Sequence, residues 1–92
     1  MWVVLLTKSA QKQYDKAPLE VRESFLAWKS LIESSGPQTL LLINGYWDHP
    51  LRGLWAGARS SSLSKKWRVI YTIEAKTVQV SVLKLSAHDY AR

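Results

Sequence analysis

The sequence predicts an α+β domain in which two N-terminal helices pack on one face of a small, mostly antiparallel sheet. Three observations support this class: an N-terminal apolar run, an apolar stripe at helical spacing, and alternating apolar residues through the second half. The predicted order is β-α-α-β-β-β. With 92 residues there is room for one hydrophobic core, so we expect a single domain over residues 1–92.

The first strand and helix follow from the opening residues. "MWVVLL" is short, apolar and rich in β-branched residues, which favours a buried strand. Thr7 or Ser9 can accept hydrogen bonds from the first free N–H groups of a helix over about 9–16. That helix is expected to end before Pro18, because proline disfavours helical geometry in the residue that precedes it.

The second helix begins near Pro18, where proline suits a first turn, and it carries Glu20 and Glu23 near its positive end. Spacings of four, three and four residues place four apolar side chains on one stripe: Val21, Phe25, Trp28 and Ile32. We interpret this stripe as core. The sequence "SSGP" at 34–37 ends the helix. The following "QTLLLI" fits either a short helical turn or an extended segment.

Three strands are predicted next, at Ala58–Leu63, Trp67–Glu74 and Val78–Leu85. Alternation in the middle strand places four side chains on the face that the helices cover: Trp67, Val69, Tyr71 and Ile73. Arg68 then lies on the opposite, open face. We expect Arg59, the 45–57 loop and the terminal "HDYAR" to join Arg68 there. Two of the tryptophans are expected in the core: Trp55 and Trp67.

Composition narrows the possible functions. The absence of cysteine excludes disulfides and thiolate sites, and two histidines without a carboxylate cluster argue against a metal site. The apolar runs are too short to span a membrane, and the N-terminus does not resemble a secretory signal, so we expect a cytoplasmic protein. No phosphate-binding loop or Ser/His/Asp order is present, and no cofactor is indicated.

Positive charge is concentrated in the second half of the chain. The net charge is +6, yet residues 1–48 carry five basic and five acidic groups and are neutral overall. Residues 49–92 carry eight basic groups and two acidic ones, Glu74 and Asp89. This excess is either a solvated surface that maintains solubility or a face that binds a polyanion, where Lys and Arg displace counterions from phosphates.

The polar residues of the second half suit RNA cleavage that uses the ribose 2′-OH as nucleophile. Such a reaction needs a base, an acid and positive charge beside the phosphorane. Histidine as a residue type titrates near neutrality, which makes His49 a candidate for proton transfer, although a lone loop histidine is more often a surface residue. Arg68 is the strongest single candidate, because it interrupts a nearly apolar strand and arginine binds phosphate oxygens in pairs. Three aromatic residues can stack on an unpaired base: Trp47, Trp55 and Tyr90.

The stretch "DHPLRGLWAGARSSSLSKKWRVIY", followed by a valine-rich strand and "HDYAR", resembles the RelE/ParE toxin superfamily. The similarity is greatest to its RelE-type mRNA interferases with YafQ- and HigB-like features, and by motif it covers about residues 47–92. It implies a bacterial type II toxin that cuts messenger RNA in the ribosomal A site. It also implies a cognate antitoxin that silences the enzyme and through which the complex binds operator DNA.

The resemblance also assigns roles to individual residues. His49 falls where relatives have a residue acting in proton transfer, and Arg68 matches the strand arginine that stabilises the scissile phosphate. His88 and Tyr90 fall in the C-terminal group that supplies proton transfer and base stacking. The remaining candidates are expected to contact RNA: Arg52, Arg59, Lys65, Lys66 and Asp89.

One departure from the family pattern concerns Ser60-Ser61-Ser62, where relatives commonly carry a further Lys or Arg. Its loss implies a slower or attenuated enzyme, unless Lys65 and Lys66 compensate. Two other functions stay open at this point. The chain is alternatively a ParE-like inhibitor of DNA gyrase without nuclease activity, or an RNA-binding module that catalyses nothing.

Overall fold

The computed structural model describes residues 1–87, which form two helices and a five-stranded sheet. The elements are β1 (Val3–Leu6), α1 (Lys8–Lys16), α2 (Leu19–Ser35), β2 (His49–Pro50), β3 (Arg59–Ser62), β4 (Trp67–Glu74) and β5 (Gln79–Ala87). The strand order is β1-β5-β4-β3-β2, in which β1 runs parallel to β5 and every other neighbouring pair is antiparallel. The predicted α+β class is therefore confirmed, with β2 as an additional short strand.

The helices begin and end at the residues whose chemistry favours it. The Thr7 hydroxyl accepts a hydrogen bond from the backbone N–H of Ala10 at 3.0 Å and caps α1. Pro18 directly precedes α2. Gly36 ends it with φ +87°, and its N–H donates to the carbonyl of Ile32 at 2.7 Å. The "QTLLLI" segment contributes to a 3-10 helix over Pro37–Leu42, so the helical alternative is the correct one.

The core lies between α2 and the sheet. The predicted stripe of α2 is buried: Val21, Phe25, Trp28 and Ile32. Trp28 meets the Tyr71 ring edge-on, with centroids 5.2 Å apart. Val69 of β4 and Leu85 of β5 complete the same face, and Leu40 belongs to the same cluster. This packing covers one face of the sheet and leaves the other open.

A bulge sets which side chains of β5 reach the open face. Ile70 pairs with Lys84 and Tyr71 pairs with Val82, so the register skips Leu83. Beyond this point Lys84 and Ser86 share the face of Ile70 and Arg68, whereas Val82 and Leu85 stay in the core. The bulge therefore adds a lysine to the open face beside Arg68.

Among residues 1–87, no helix combines the length and apolarity that crossing a membrane requires.

Candidate functional site

His49 lies on the open face at the edge of the sheet. It begins β2 and pairs with Ser60 of β3. Its Nδ1 lies 2.8 Å from the carbonyl oxygen of Trp47, and the indole ring of Trp47 is centred 5.3 Å from the imidazole. A carbonyl can only accept, so Nδ1 carries the proton and Nε2 holds the lone pair when the ring is neutral. The side chain is half-buried, which restricts its orientation without closing it to solvent.

Arg68 converges on the same place from β4. One terminal nitrogen of its guanidinium donates to the Ser60 hydroxyl at 3.2 Å. Its guanidinium carbon lies 5.4 Å from the centroid of the Trp47 ring, within cation–π range. Ser60 therefore pairs with His49 through the sheet and with Arg68 through its side chain, and Trp47 contacts both residues. The structure confirms the expectation that the 45–57 loop and Arg68 meet on the open face.

A second cation and aromatic ring lie together on this face. The Lys84 ammonium is 5.8 Å from the centroid of the Trp55 ring. Trp55 was expected in the core, which is wrong: the residue is 39% exposed, because the loop carries it across the open face instead of into the helix-covered interior. Trp67 does pack against the core, although it is only partly buried.

A buried polar cluster on the opposite face of the sheet was not predicted from the sequence. The Asp48 side chain is 1% exposed and accepts three hydrogen bonds. Arg59 donates through Nε at 2.7 Å, Ser61 donates through Oγ at 2.6 Å, and the Tyr71 hydroxyl is the third donor. A buried carboxylate is tolerated only when such partners replace its lost hydration.

The cluster shifts the titration of two of its members. Burial and the negative charge of Asp48 together raise the pKa of the Tyr71 hydroxyl well above its ordinary value of 10.0. Burial opposes ionisation of Arg59, but the hydrogen bond and charge of Asp48 outweigh it and raise the pKa of the guanidinium. Both residues therefore stay protonated throughout the neutral range, and the cluster is a fixed ion pair with a neutral phenol.

The expectation that Arg59 and Arg68 share the open face is wrong. Arg59 pairs with Tyr71 in the sheet, whereas Arg68 pairs with Ser62, so the two arginines point to opposite sides. Arg59 is also held by Asp48 and lines a cavity of about 300 Å³ with Trp2 and Ile73. Its assignment as an RNA contact stays a prediction.

The remaining predicted residues are either exposed or outside the described part of the chain. Arg52 is exposed in the loop before β3. Lys65 and Lys66 are exposed in the turn between β3 and β4, where they border a depression with Trp67 and Glu20. Three predicted residues lie outside the described part of the chain: His88, Asp89 and Tyr90. Within residues 1–87, no three His, Asp or Glu side chains come together in a way that could hold a metal ion.

Two serines of the triplet in which a further basic residue was expected have defined partners. Ser60 and Ser61 are both fully buried, the first against Arg68 and the second against Asp48. Ser62 is half-buried and faces the same side as Arg68. The triplet therefore connects the open face to the buried carboxylate, with each hydroxyl on the side that strand alternation gives it.

Sequence comparison gives no relatives, whereas comparison of structures gives many. No family model matches the chain, and no curated protein matches its sequence significantly. The archaeal RelE–RelB complex from Pyrococcus horikoshii aligns with a TM-score of 0.76 at 22% identity, over 98% of this chain and 98% of that one. The RelBE2 toxin–antitoxin complex from Mycobacterium tuberculosis gives 0.73 at 21% identity, over 95% and 98%.

A YoeB/ParE toxin from Agrobacterium tumefaciens aligns with a TM-score of 0.74 at 16% identity, over 95% of this chain and 99% of that one. The likeness extends over nearly the full length of each of these chains, including the N-terminal helices, where the sequence motifs gave no match. The chain thus has the fold of the RelE/ParE toxin superfamily.

Proposed function

We propose that this chain is the toxin of a type II toxin–antitoxin system and that it cuts messenger RNA on the ribosome. The observation that carries the proposal is the convergence of His49 and Arg68 around Ser60, on the sheet face that the helices leave open. A histidine and an arginine, both half-buried on the open face, supply proton transfer and phosphate binding, which are the main requirements of 2′-OH chemistry. The fold shared with RelE and YoeB proteins supports the same assignment.

In the proposed reaction the ribose 2′-oxygen attacks the adjacent phosphorus and gives its proton to a base. The bond from phosphorus to the 5′-oxygen breaks, and that oxygen takes a proton from an acid. The products are a 2′,3′-cyclic phosphate and a 5′-OH. His49 and His88 share the roles of base and acid, and the Arg68 guanidinium stabilises the negative charge that develops on the phosphorane.

The aromatic residues of the open face provide places for bases. Trp47 and Trp55 are each paired with a cation, an arrangement that allows a base to stack while the cation approaches its phosphate. Tyr90 is proposed to stack on or orient the substrate. Arg52, Lys65, Lys66 and Asp89 are proposed to contact RNA at the periphery, and Arg59 is the least accessible of the proposed contacts, since Asp48 already holds it.

The proposed partner is a cognate antitoxin. The Pyrococcus horikoshii and Mycobacterium tuberculosis structures are complexes of a toxin with an antitoxin. The excess positive charge of residues 49–92 here favours an acidic partner segment, and such a segment would compete with RNA for the open face. Binding of the complex to operator DNA is proposed to occur through the antitoxin.

The test is translation in vitro, followed by mapping of the mRNA ends. The parent should cut mRNA on programmed ribosomes, while His49→Ala and Arg68→Ala should each reduce the rate by about 100-fold to 10,000-fold, the range for loss of one proton-transfer or oxyanion-stabilising group. Lys12→Gln, which removes a charge from α1 on the covered side of the sheet, is the control and should cut normally. Intact mRNA with the parent would exclude the nuclease, and inhibition of supercoiling by gyrase would then point to the ParE-like alternative.

A further inference from the structure

Asp48 precedes His49 in the chain, yet the two side chains lie on opposite sides of the sheet. His49 pairs with Ser60 on the open face, whereas Asp48 contacts Arg59, Ser61 and Tyr71 on the covered one. With 1% of its side chain exposed, Asp48 cannot reach a bound RNA. An effect of Asp48 on cleavage would therefore be indirect, and the shortest route to the site is the backbone that it shares with His49.

The backbone at His49 has few other attachments. Strand β2 has two residues and lies at the edge of the sheet, with β3 as its one neighbouring strand. Just before it, Trp47 has φ 45° and ψ 46°, a left-handed conformation that costs a non-glycine residue about 1 kcal/mol or more. A short edge strand behind a strained residue needs an anchor to hold one conformation, and the three hydrogen bonds of Asp48 provide it.

We propose that Asp48 is a positioning residue for His49: its contacts to β3 and β4 fix the chain so that the imidazole stands beside Trp47 and Arg68. The hydrogen bond from Arg59 is charge-assisted and is stronger than a neutral one, which suits an anchor. Asp48 thus connects the edge of the site to β3 and β4. The consequence for cleavage rests on the proposed function, but the positioning itself does not.

The first test measures the position of His49 without reference to RNA. The Trp47 ring, centred 5.3 Å from the imidazole, should shift the His49 C–H proton resonances by its ring current. His88→Gln leaves His49 as the one remaining histidine, which makes these signals unambiguous in NMR spectra. In this background Asp48→Ala should return them towards random-coil positions, while Asp48→Asn, which still accepts hydrogen bonds, should shift them less.

Val4→Ala is the matched control, since it weakens the core from β1, at the opposite edge of the sheet, and should leave the His49 signals in place. If Asp48→Ala does not fold, Ser61→Ala removes one donor to the same carboxylate and should move the signals part of the way. Unchanged His49 signals in a folded Asp48→Ala or Ser61→Ala protein would overturn the proposal, whether or not the parent cuts RNA.

The second test measures cleavage. Asp48→Ala should lower kcat by about 100-fold, the loss expected when a catalytic group is displaced by about 1 Å, with KM for programmed ribosomes unchanged. In the His49→Ala background the same substitution should have no further effect. Equal losses in both backgrounds would show that Asp48 acts elsewhere and would overturn its positioning role. If the parent leaves mRNA intact, the nuclease assignment fails and the NMR result alone decides on positioning.

Discussion

At the scale of single residues, the environment of each serine in Ser60-Ser61-Ser62 is set by the face of the sheet on which its side chain lies. Ser61 points into the covered face and is fully buried against Asp48, whereas Ser62 points to the open face and is half-buried. A basic residue at position 62 can extend over the open face into solvent. At position 61 it would replace one of the three donors to Asp48 and be buried beside a carboxylate that Arg59 already pairs with.

We therefore expect the same substitution to have different consequences at these two neighbouring positions. Ser62→Lys should change the free energy of unfolding by no more than about 0.5 kcal/mol and should strengthen the proposed RNA binding, because the added charge lies on the open face. Ser61→Lys should destabilise the protein by about 2 kcal/mol or more, because it buries an ammonium group. Urea unfolding of both variants measures the difference, and equal destabilisation would contradict the assignment of faces.

Tyr71 makes stability depend on pH in the alkaline range. Burial and Asp48 raise the pKa of its hydroxyl in the folded protein above the ordinary value of 10.0. Above about pH 10 the unfolded chain loses this proton while the folded chain keeps it, so the unfolded state binds fewer protons. The stabilisation is complete below about pH 10 and falls as the pH rises further.

The expected result is a thermal midpoint that decreases between pH 9 and pH 11 (about one unit either side of the ordinary tyrosine value) and does so less steeply in Tyr71→Phe. At neutral pH the same variant should be less stable by about 1.5 to 3 kcal/mol, the worth of a hydrogen bond to a charged group. Tyr14→Phe serves as the control, since its ring packs on Phe25 in the helix layer. A pH profile in Tyr71→Phe that is as steep as in the parent would exclude this tyrosine as the cause.

At the scale of elements, the loop between residues 45 and 57 depends on two glycines for its backbone conformation. Gly53 has φ +68° and Gly57 has φ +95°, values that side chains with a Cβ rarely adopt. Both lie between β2 and β3 and allow the loop to carry Trp55 over Lys84. Gly45 belongs to the same loop and has an ordinary φ with open space around it.

Substituting alanine at each of these three glycines should distinguish the cost of backbone strain in the folded state from the general effect of replacing a glycine. Gly53→Ala and Gly57→Ala should each destabilise the protein by about 1 kcal/mol or more, because alanine disfavours positive φ. Gly45→Ala should be neutral or should stabilise by about 0.4 to 1 kcal/mol, because it restricts the unfolded chain without straining the folded one. Chemical denaturation of the three variants measures this order, and a loss at Gly45 equal to the others would contradict it.

The elements also mark how far the sequence predicted the fold. Helical spacing identified α2 and its buried stripe, and alternation identified β4, because both are periodic over many residues. Strand β2 escaped prediction, since two residues show no period. The bulge at Leu83 reverses the alternation of β5, and so nothing in the sequence placed Lys84 on the open face.

At the scale of the whole molecule, the sequence predicted the part of the site that lies on the open face but not the buried part behind it. His49 and Arg68 were identified by their chemistry, and the sheet brings them together as expected. Asp48 was not predicted as part of the site because in the sequence it resembles an ordinary loop acid. The residues that donate hydrogen bonds to it are 11, 13 and 23 residues away in the chain. Strand pairing brings the members of such a cluster together, and local sequence patterns do not reveal which strands pair.

The last expectation concerns the distribution of positive charge over the molecule. If the open face binds RNA, affinity should fall as salt rises, with a logarithmic slope of about −0.7 for each phosphate that the face neutralises on a single strand. Lys84→Gln should therefore reduce the magnitude of this slope by about 0.7, because Lys84 lies on that face beside Trp55. Lys12→Gln changes the net charge equally but lies on α1, on the covered side, and should leave the slope unchanged. Titration of a single-stranded RNA at several salt concentrations measures both slopes, and equal changes would mean that net charge, rather than the open face, attracts the RNA.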